Sequence, residues 1–414
     1  MGVRNVGRNR RRSLITGAMI ALAVVAVVFF KAYALGIERV LVNMAVEGLT
    51  GALQVQRGGY FESQDSGPLD LDLPQDTGLL EKVRSVPNVR AVSPRLLFTG
   101  LINNGDTSNM FVGLGVDPLT EPTVCASGPG LTGLDAKGTG FNQLVAGEPL
   151  SKPDEDAVML TDALAKSLKV KVGDSLVLLA RTKAGSMDSV DLTVKGIFQF
   201  SDPLGNKQFG VLPLKVAQRL LHMTDRATAF GVSVIDRSAL ETTAQSIRET
   251  LANEEPKSAV FVWSTLAPYY RDVVILQDGM LNIVSFVVLV LVLAGIVNTM
   301  MMSTFERKRE IGTLMSMGFR RWAIVVLFVI EAIWLAVISG LVGMAVGVGI
   351  VELTHLTGIP FAIPGGGSIL TFPDWRYQTL GLAIVGAVIT ALLAALVPSY
   401  RASRLRPIDA LRSD

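Results

Sequence analysis

The 414-residue chain has one cysteine and two histidines. A lone Cys125 excludes an internal disulfide framework and any cysteine-rich metal site. His222 and His355 alone cannot make a histidine-only zinc centre with an open position. No Gly-x-x-x-x-Gly-Lys-Ser/Thr phosphate loop occurs in the sequence, so no nucleotide is expected on this chain. Charge is sparse too, at 18% of residues against roughly 25% in a soluble domain. A formal net charge of +2 gives no global field to attract nucleic acid.

Half of the residues are hydrophobic, and their placement is the informative feature. A bilayer core asks for about 20 consecutive apolar residues in a helix. Four stretches qualify: 14–35, interrupted only by Lys31; 279–304, within a charge-free run to Phe305; 322–351, with Glu331 alone; and 377–400, charge-free. The rival reading of the first stretch, a cleavable signal peptide, suits Ala32-Tyr33-Ala34, but the apolar run before Lys31 covers 17 residues, more than the roughly 7–15 of a signal core. Arg4, Arg8, Arg10, Arg11 and Arg12 precede the first run; Arg307, Lys308, Arg309, Arg320 and Arg321 follow the second; Arg401, Arg404, Arg406 and Arg412 follow the fourth. Arg376 alone sits between the third and fourth. The positive-inside rule then puts both ends, 1–13 and 401–414, and the 305–321 loop in the cytoplasm, with 36–278 and 352–376 outside. The 36–278 region holds 22 basic and 29 acidic residues, moderately anionic and ordinary for a folded domain.

Alternating runs Leu53–Gln56, Ala157–Leu160, Ser175–Ala180, Leu192–Phe200 and Ala229–Ile235 predict strands. Thr161–Leu168, Leu214–His222 and Ser238–Asn253 predict helices, the last opened by Ser238 as N-cap with Glu241 three residues on. The fold class is therefore a four-helix membrane protein with a large α+β domain inserted between helices one and two. Gly, Pro and Thr over 118–142 suggest an irregular connection, with a small β-rich lobe at 143–205. Helical spacing in Ser264–Asp278, and again in Gly36–Leu49, suggests stalks that carry the first two spans outward. No catalytic constellation emerges: Asp154-Glu155-Asp156 lacks calcium-loop spacing, Cys125 has no readable basic neighbour, and His222 ends a helix.

Between spans two and three, Ile311, Leu314, Met315 and Gly318 share one helical face. Two readings fit: docking into a groove on another protein, or lying on lipid headgroups. Glu331 reads either as structural coupling, reaching Arg307 or Arg320, or as a proton relay. On span three, Gly340, Gly343 and Gly347 permit close helix approach. Pro360, Pro364, Gly365 to Gly367 and Pro373 keep the following loop irregular, with Trp375 and Tyr377 suited to the interface.

Glu306 to Gly318, Asn298-Thr299-Met300 before it and the tail Pro398 to Arg412 resemble the permease subunits of the MacB/FtsX/LolCE group of ABC transporters. Arg8 to Thr16, Leu160 to Ala165, Val172-Gly173-Asp174 and Val194 to Phe198 extend the resemblance over nearly the whole chain. Gly51 to Gln56 with Gly59-Tyr60 leans toward the lipoprotein-releasing LolC/LolE branch. The resemblance implies a MacB-like periplasmic core and a bacterial inner-membrane location. It implies a coupling helix at Glu306, Arg307, Glu310, Ile311, Gly312, Leu314, Met315 and Gly318 received by an ATPase dimer that carries ATP and Mg, with Glu331, Arg401 and Arg404 in support. A second permease subunit, a copy or a paralogue, stands beside it. In the lipoprotein-releasing version an acylated substrate enters from the membrane lipids against Val24, Val28 and Phe29 on span one and Ile283, Phe286 and Val290 on span two. The expected activity is thus non-enzymatic on this chain. Efflux of peptides or small hydrophobic compounds, and FtsX-like regulation of a periplasmic hydrolase, are the alternatives.

Overall fold

The computed structural model describes residues 10–75, 78–126, 143–151, 156–199, 207–362 and 368–404. Asp154, Glu155, Phe200, Pro364, Gly365 to Gly367, most of the 118–142 connection, the arginines before Arg10 and the tail from Leu405 lie outside those residues. Two compact units divide the chain: Val40–Asp272 with Phe361–Ile369 forms one, and the remaining three segments form the other.

The helices are α1 (Arg10–Ala45), α2 (Leu79–Arg84), α3 (Glu121–Val124), α4 (Asp162–Leu168), α5 (Leu214–Leu221), α6 (Leu240–Leu251), α7 (Trp263–Leu266), α8 (Pro268–Glu306), α9 (Lys308–Ser316), α10 (Arg321–Thr357) and α11 (Tyr377–Ser403). The strands are β1 (Leu53–Arg57), β2 (Leu73–Pro74), β3 (Val89–Asn103), β4 (Ser108–Val116), β5 (Leu144–Gly147), β6 (Ala157–Thr161), β7 (Ser175–Arg181), β8 (Met187–Phe198), β9 (Phe209–Pro213), β10 (Arg226–Ala227), β11 (Ala229–Val234), β12 (Ser258–Val262), β13 (Ile359–Ala362) and β14 (Ser368–Thr371). Among the described residues four helical stretches are long and apolar enough to cross a membrane: Leu14–Thr50, Pro268–Glu306, Arg321–Thr357 and Tyr377–Ser403.

The external domain is built on one ten-stranded sheet, ordered β12-β1-β11-β3-β4-β9-β6-β8-β5, with β7 pairing both β3 and β8. That double pairing closes β3, β4, β9, β6, β8 and β7 into a ring, so each of these six strands has a partner on both sides, while β12 and β5 remain at the edges of the sheet. Inside the ring Phe98 and Phe111 meet at 6.2 Å between centroids. The fit needs glycine: a Cβ on Gly113 would lie 2.4 Å from the Phe98 ring, and one on Gly210 2.4 Å from Phe111. A second core lies over β1, β11 and β12, where Leu53, Val55, Phe230 and Val232 pack with Leu79 and Val83 of α2 and Ile247 of α6.

Several expectations need correction. The 143–205 segment is not a lobe of its own, because its apolar residues share a core with Leu96, Phe98 and Phe111 of β3 and β4 and with Leu212 and Leu220 beyond it. Ser238 is not an N-cap. Asp236 takes that role, its carboxylate accepting the Ser238 N–H across a short 3₁₀ turn before α6 begins at Leu240. The loop after span three contains β13 and β14. Cys125 does have a basic neighbour: Arg95 Nη2 lies 2.8 Å from its sulfur.

Arg95 is almost fully buried, at 3% exposure, and pairs with buried Glu121. Its Nη1 donates to the carbonyls of Leu49 and Thr50, both at 2.9 Å, in the π-helical turn that follows α1. Burial alone would lower the Arg95 pKa, but the neighbouring Cys125 and Glu121 raise it. Burial pushes the Cys125 thiol up to about 11 despite the guanidinium, so it stays protonated and unreactive. One side chain thus ties the end of α1 to β3 and α3.

Asp72, fully enclosed, accepts from Arg226 Nη2 at 2.9 Å and Lys183 Nζ at 2.6 Å. Burial alone would raise this carboxyl, yet the hydrogen bonds and charges of Arg226 and Lys183 hold it below its ordinary value. Its stabilisation is present above the unfolded carboxyl pKa, about 3.9, and is lost as pH falls through the lower folded value. Asp72→Asn is expected to destabilise the protein at neutral pH by about 1–3 kcal/mol and to shrink the acid-side fall, measured by urea unfolding between pH 7 and pH 3. An unchanged acid limb would remove Asp72 from this role.

Candidate functional site

In the membrane unit, α8 ends at Glu306 and α9 starts at Lys308, with Arg307 between them outside helical geometry. Glu306 therefore closes span two and does not belong to the short helix. Gly318 ends the turn after α9 with φ +89°, a left-handed conformation that suits glycine. Its N–H bonds to the Met315 carbonyl, and the Phe319 N–H bonds to Leu314.

The apolar stripe of α9 is used inside the chain. Ile311 is buried with Ile324 and Phe328 of α10 and Ala402 of α11, and Met315 packs partly against them. Gly312 is also buried, and Leu314 is half-buried. A groove on another protein cannot receive the Ile311 edge, because the chain's own spans already cover it. What remains exposed on or beside α9 is Arg309, Glu310, Thr313, Ser316, Met317 and Gly318, flanked by Phe305, Glu306, Phe319, Arg320, Arg321 and Trp322.

Glu331 meets Arg307, with Nη1 3.0 Å from Oε2 and 3.3 Å from Oε1. Their side chains are only 16% and 15% exposed. The pair borders a small cavity of about 50 Å³ shared with Thr16, Thr299 and Ser303. Of the supporting arginines, Arg404 stacks over its own neighbour Tyr400 at 4.6 Å and Arg401 is exposed. Between them in the chain, Ala402 packs on Ile311.

Close helix approach falls on two of the three proposed glycines. A Cβ on Gly343 would sit 2.4 Å from the Ala21 carbonyl oxygen, and one on Gly347 3.2 Å from Val28. A Cβ on Gly340 would meet nothing within 4 Å, so no packing need fixes that glycine. Gly17 against Ser339 and Gly36 against Phe372 make contacts that sequence reading missed.

A cavity of about 590 Å³ opens between α1, α8 and α11. Its walls are apolar, with Ile20, Val24 and Val27 from α1, Leu289, Val292 and Ile296 from α8, and Leu382 and Ala387 from α11. Lys31, Glu38, Asp278 and Arg376 gather at one end, and Lys31 bonds Asp278 at 2.9 Å and Asn282 at 2.7 Å. Nearby, Arg39 Nη2 donates to Asp374 at 2.7 Å. Burial would raise the Asp374 carboxyl, but Arg39 and the Trp375 N–H bring it below its ordinary value.

Of the six expected acyl-facing residues, Val24 alone lines this cavity. Val28 is buried in the helix core, and Phe29 packs partly against it. Ile283, Phe286 and Val290 are exposed on another face of α8, about a third of a turn from the stripe of Ser285, Leu289 and Val292. Asp278, Asn282 and Ser285, at i, i+4 and i+7, were the legible mark of the inward face.

An FtsX-like permease C-terminal model matches residues 282–407, and a MacB-like periplasmic core model matches 13–250. The macrolide export ATP-binding/permease protein MacB of Nitrobacter winogradskyi is 28% identical over 206 residues, 49% of this chain and 30% of that protein. The lipoprotein-releasing system transmembrane protein LolE of Haemophilus influenzae is 25% identical over 362 residues, 81% of this chain and 80% of that protein. The chain thus spans under a third of the MacB relative and four fifths of the LolE relative. Among solved structures, the periplasmic region of MacB from Actinobacillus actinomycetemcomitans covers 56% of this chain and 98% of its own at 14% identity, with a TM-score of 0.38.

The Arg307–Glu331 pair yields a direct expectation. In a double-mutant cycle with Arg307→Gln and Glu331→Gln, thermal unfolding in detergent should show a coupling energy of about 1–3 kcal/mol. Additive single effects would mean the pair does not hold the joint.

Proposed function

The chain belongs to the MacB/FtsX/LolCE group of ABC-transporter permeases, and we propose that it is a subunit that draws an acylated lipoprotein out of a bacterial inner membrane. ATP and Mg are bound by a separate ATPase dimer, which docks on the exposed part of the segment from Glu306 to Trp322. A second permease subunit stands beside this one. The observation that carries the substrate class is the 590 Å³ cavity, apolar along its walls and charged at one end. That size suits an amphiphile's apolar part, since ligand sites run to roughly 300–1,000 Å³. Its mixed-sign rim suits a polar head that remains hydrated.

Energetics explain the need for nucleotide. Each acyl CH₂ leaving the bilayer costs about 0.8 kcal/mol, so a full chain leaves spontaneously only at a negligible rate. A cavity that is open in one nucleotide state and closed in the other converts ATPase turnover into that work. Closing α8 toward α1 and α11 would remove the cavity's apolar surface and drive its occupant out. Van der Waals packing of Gly343 on Ala21 and of Gly347 on Val28 keeps α10 and α1 together meanwhile.

Efflux of a small hydrophobic compound would use the same cavity, and substrate tests separate the readings. Leu289→Trp narrows the cavity at its apolar wall. Release of a radiolabelled lipoprotein from proteoliposomes holding the full complex is expected to fall by about tenfold, the equivalent of ~1.4 kcal/mol, while basal ATPase activity stays unchanged. Unchanged lipoprotein release with impaired efflux of a hydrophobic dye would favour the efflux reading instead.

A further inference from the structure

The charged end of the cavity between α1, α8 and α11 holds two kinds of side chain. Lys31 is engaged within the protein, by Asp278 at 2.9 Å and Asn282 at 2.7 Å. Glu38 and Arg376 are exposed, and their side chains make no hydrogen bond or ion pair with any described residue. Both border the same end. Lys31 and Glu38, at i and i+7 on α1, share one face. Asp374, just before Arg376, accepts from Arg39 at 2.7 Å and donates its N–H to the Ala32 carbonyl at 3.2 Å, which sets Arg376 beside that stretch of α1. One free anion and one free cation therefore stand at the mouth of an apolar cavity.

The cavity has the depth of one leaflet. At about 1.5 Å per residue, α1 rises about 16 Å from Lys31 to Ile20 and α11 about 21 Å from Arg376 to Thr390, against about 15 Å for half of a bilayer's hydrocarbon core. Along that depth Val24, Val27, Leu289, Val292, Leu382 and Ala387 form the walls. Glu38 and Arg39 lead directly into the external unit, which begins at Val40, so the charged end belongs to the outer headgroup level. An apolar slot of this depth that ends among charges has the form of a single lipid of the outer leaflet.

Charge selects the head. Arginine's planar fork matches a phosphate, and such charge-assisted bonds are among the stronger ones. Glu38 needs a cation. A head with a phosphate alone satisfies Arg376 but brings a second negative charge toward Glu38, which discriminates against it. A head with both phosphate and ammonium satisfies the two side chains together, enters with no net charge, and leaves the Lys31–Asp278 pair undisturbed.

We propose that this cavity binds a bilayer phospholipid whose head carries a phosphate and a primary ammonium, the phosphate on Arg376 and the ammonium on Glu38. The lipid is a second ligand of the cavity, beyond any transported cargo, and its binding needs neither ATPase nor lipoprotein.

The test titrates the full-length protein in detergent micelles with phosphatidylethanolamine or phosphatidylglycerol of identical acyl chains, and native mass spectrometry reads the dissociation constant of the first lipid bound. Phosphatidylethanolamine is expected to bind about fivefold more tightly, the upper range for one exposed charge contact. Glu38→Gln should abolish that preference, and Arg376→Gln should weaken both lipids; both charges are exposed, so the thermal melt should not change. Leu289→Trp, at the apolar wall, should weaken both lipids by about tenfold, the equivalent of ~1.4 kcal/mol. Glycerophosphoethanolamine, the same head without chains, should not compete. Equal affinity for the two lipids, a preference that survives Glu38→Gln, binding indifferent to Leu289→Trp, or competition by the chainless head would overturn the proposal. Lost lipid preference with normal lipoprotein release contradicts this proposal alone, and the reverse result contradicts only the lipoprotein role.

Discussion

A carboxylate on a membrane helix needs a cation, and Glu331 takes the first one that follows span two. Arg307 occupies the single non-helical position between α8 and α9, so its ion pair with Glu331 fixes where span two ends relative to span three. Ile311 then has to pack on Ile324 and Phe328, and Gly318 has to turn the chain back. The three features make α9 part of a joint. A push on its exposed edge acts on α8, α10 and α11 together, because its buried edge is already built into them. This is how a short helix can pass on force: the apolar contacts set its position, and the ion pair prevents it from sliding.

The cavity between α1, α8 and α11 depends on the same helix, since α8 supplies the wall that lies opposite α1. Lys31, Asp278 and Asn282 join those two helices at one end, while the rest of α8 presents mostly exposed apolar side chains. A helix held at its two ends by charge and little packed along its middle is free to move sideways. In the external domain the opposite holds: a closed ring of strands and the buried Arg95 cluster make a body that resists deformation.

Spans, the inserted domain and the α9 segment were legible because hydropathy and charge placement report them directly. The β3–β4 hairpin was not, although Asn104-Gly105 is a strong turn signal. Pro94 and Arg95 interrupt its apolar alternation, and proline argues against an interior strand. Periodicity correctly placed Ile311, Leu314 and Met315 on one face, but it cannot say whether that face meets a partner or the chain's own spans. On α8 the sequence is apolar all round, so no period selected the side that lines the cavity, and Ile283, Phe286 and Val290 lie on another, exposed face. Gly343 and Gly347 were found by their four-residue spacing, whereas Gly340, outside that pair, meets nothing. Arg95 escaped notice because its partners Glu121 and Cys125 are 26 and 30 residues away.

The central claim is that the Arg307–Glu331 joint delivers the nucleotide state to the membrane cavity. It is tested most directly by placing a thiol at the cavity wall, Ser285→Cys in a Cys125→Ser background, and timing its reaction with a membrane-permeant maleimide in the complex with the ATPase. The account predicts that trapping nucleotide with vanadate slows labelling markedly, and that adding Glu331→Gln removes the difference. Equal protection by vanadate with and without Glu331 would contradict it.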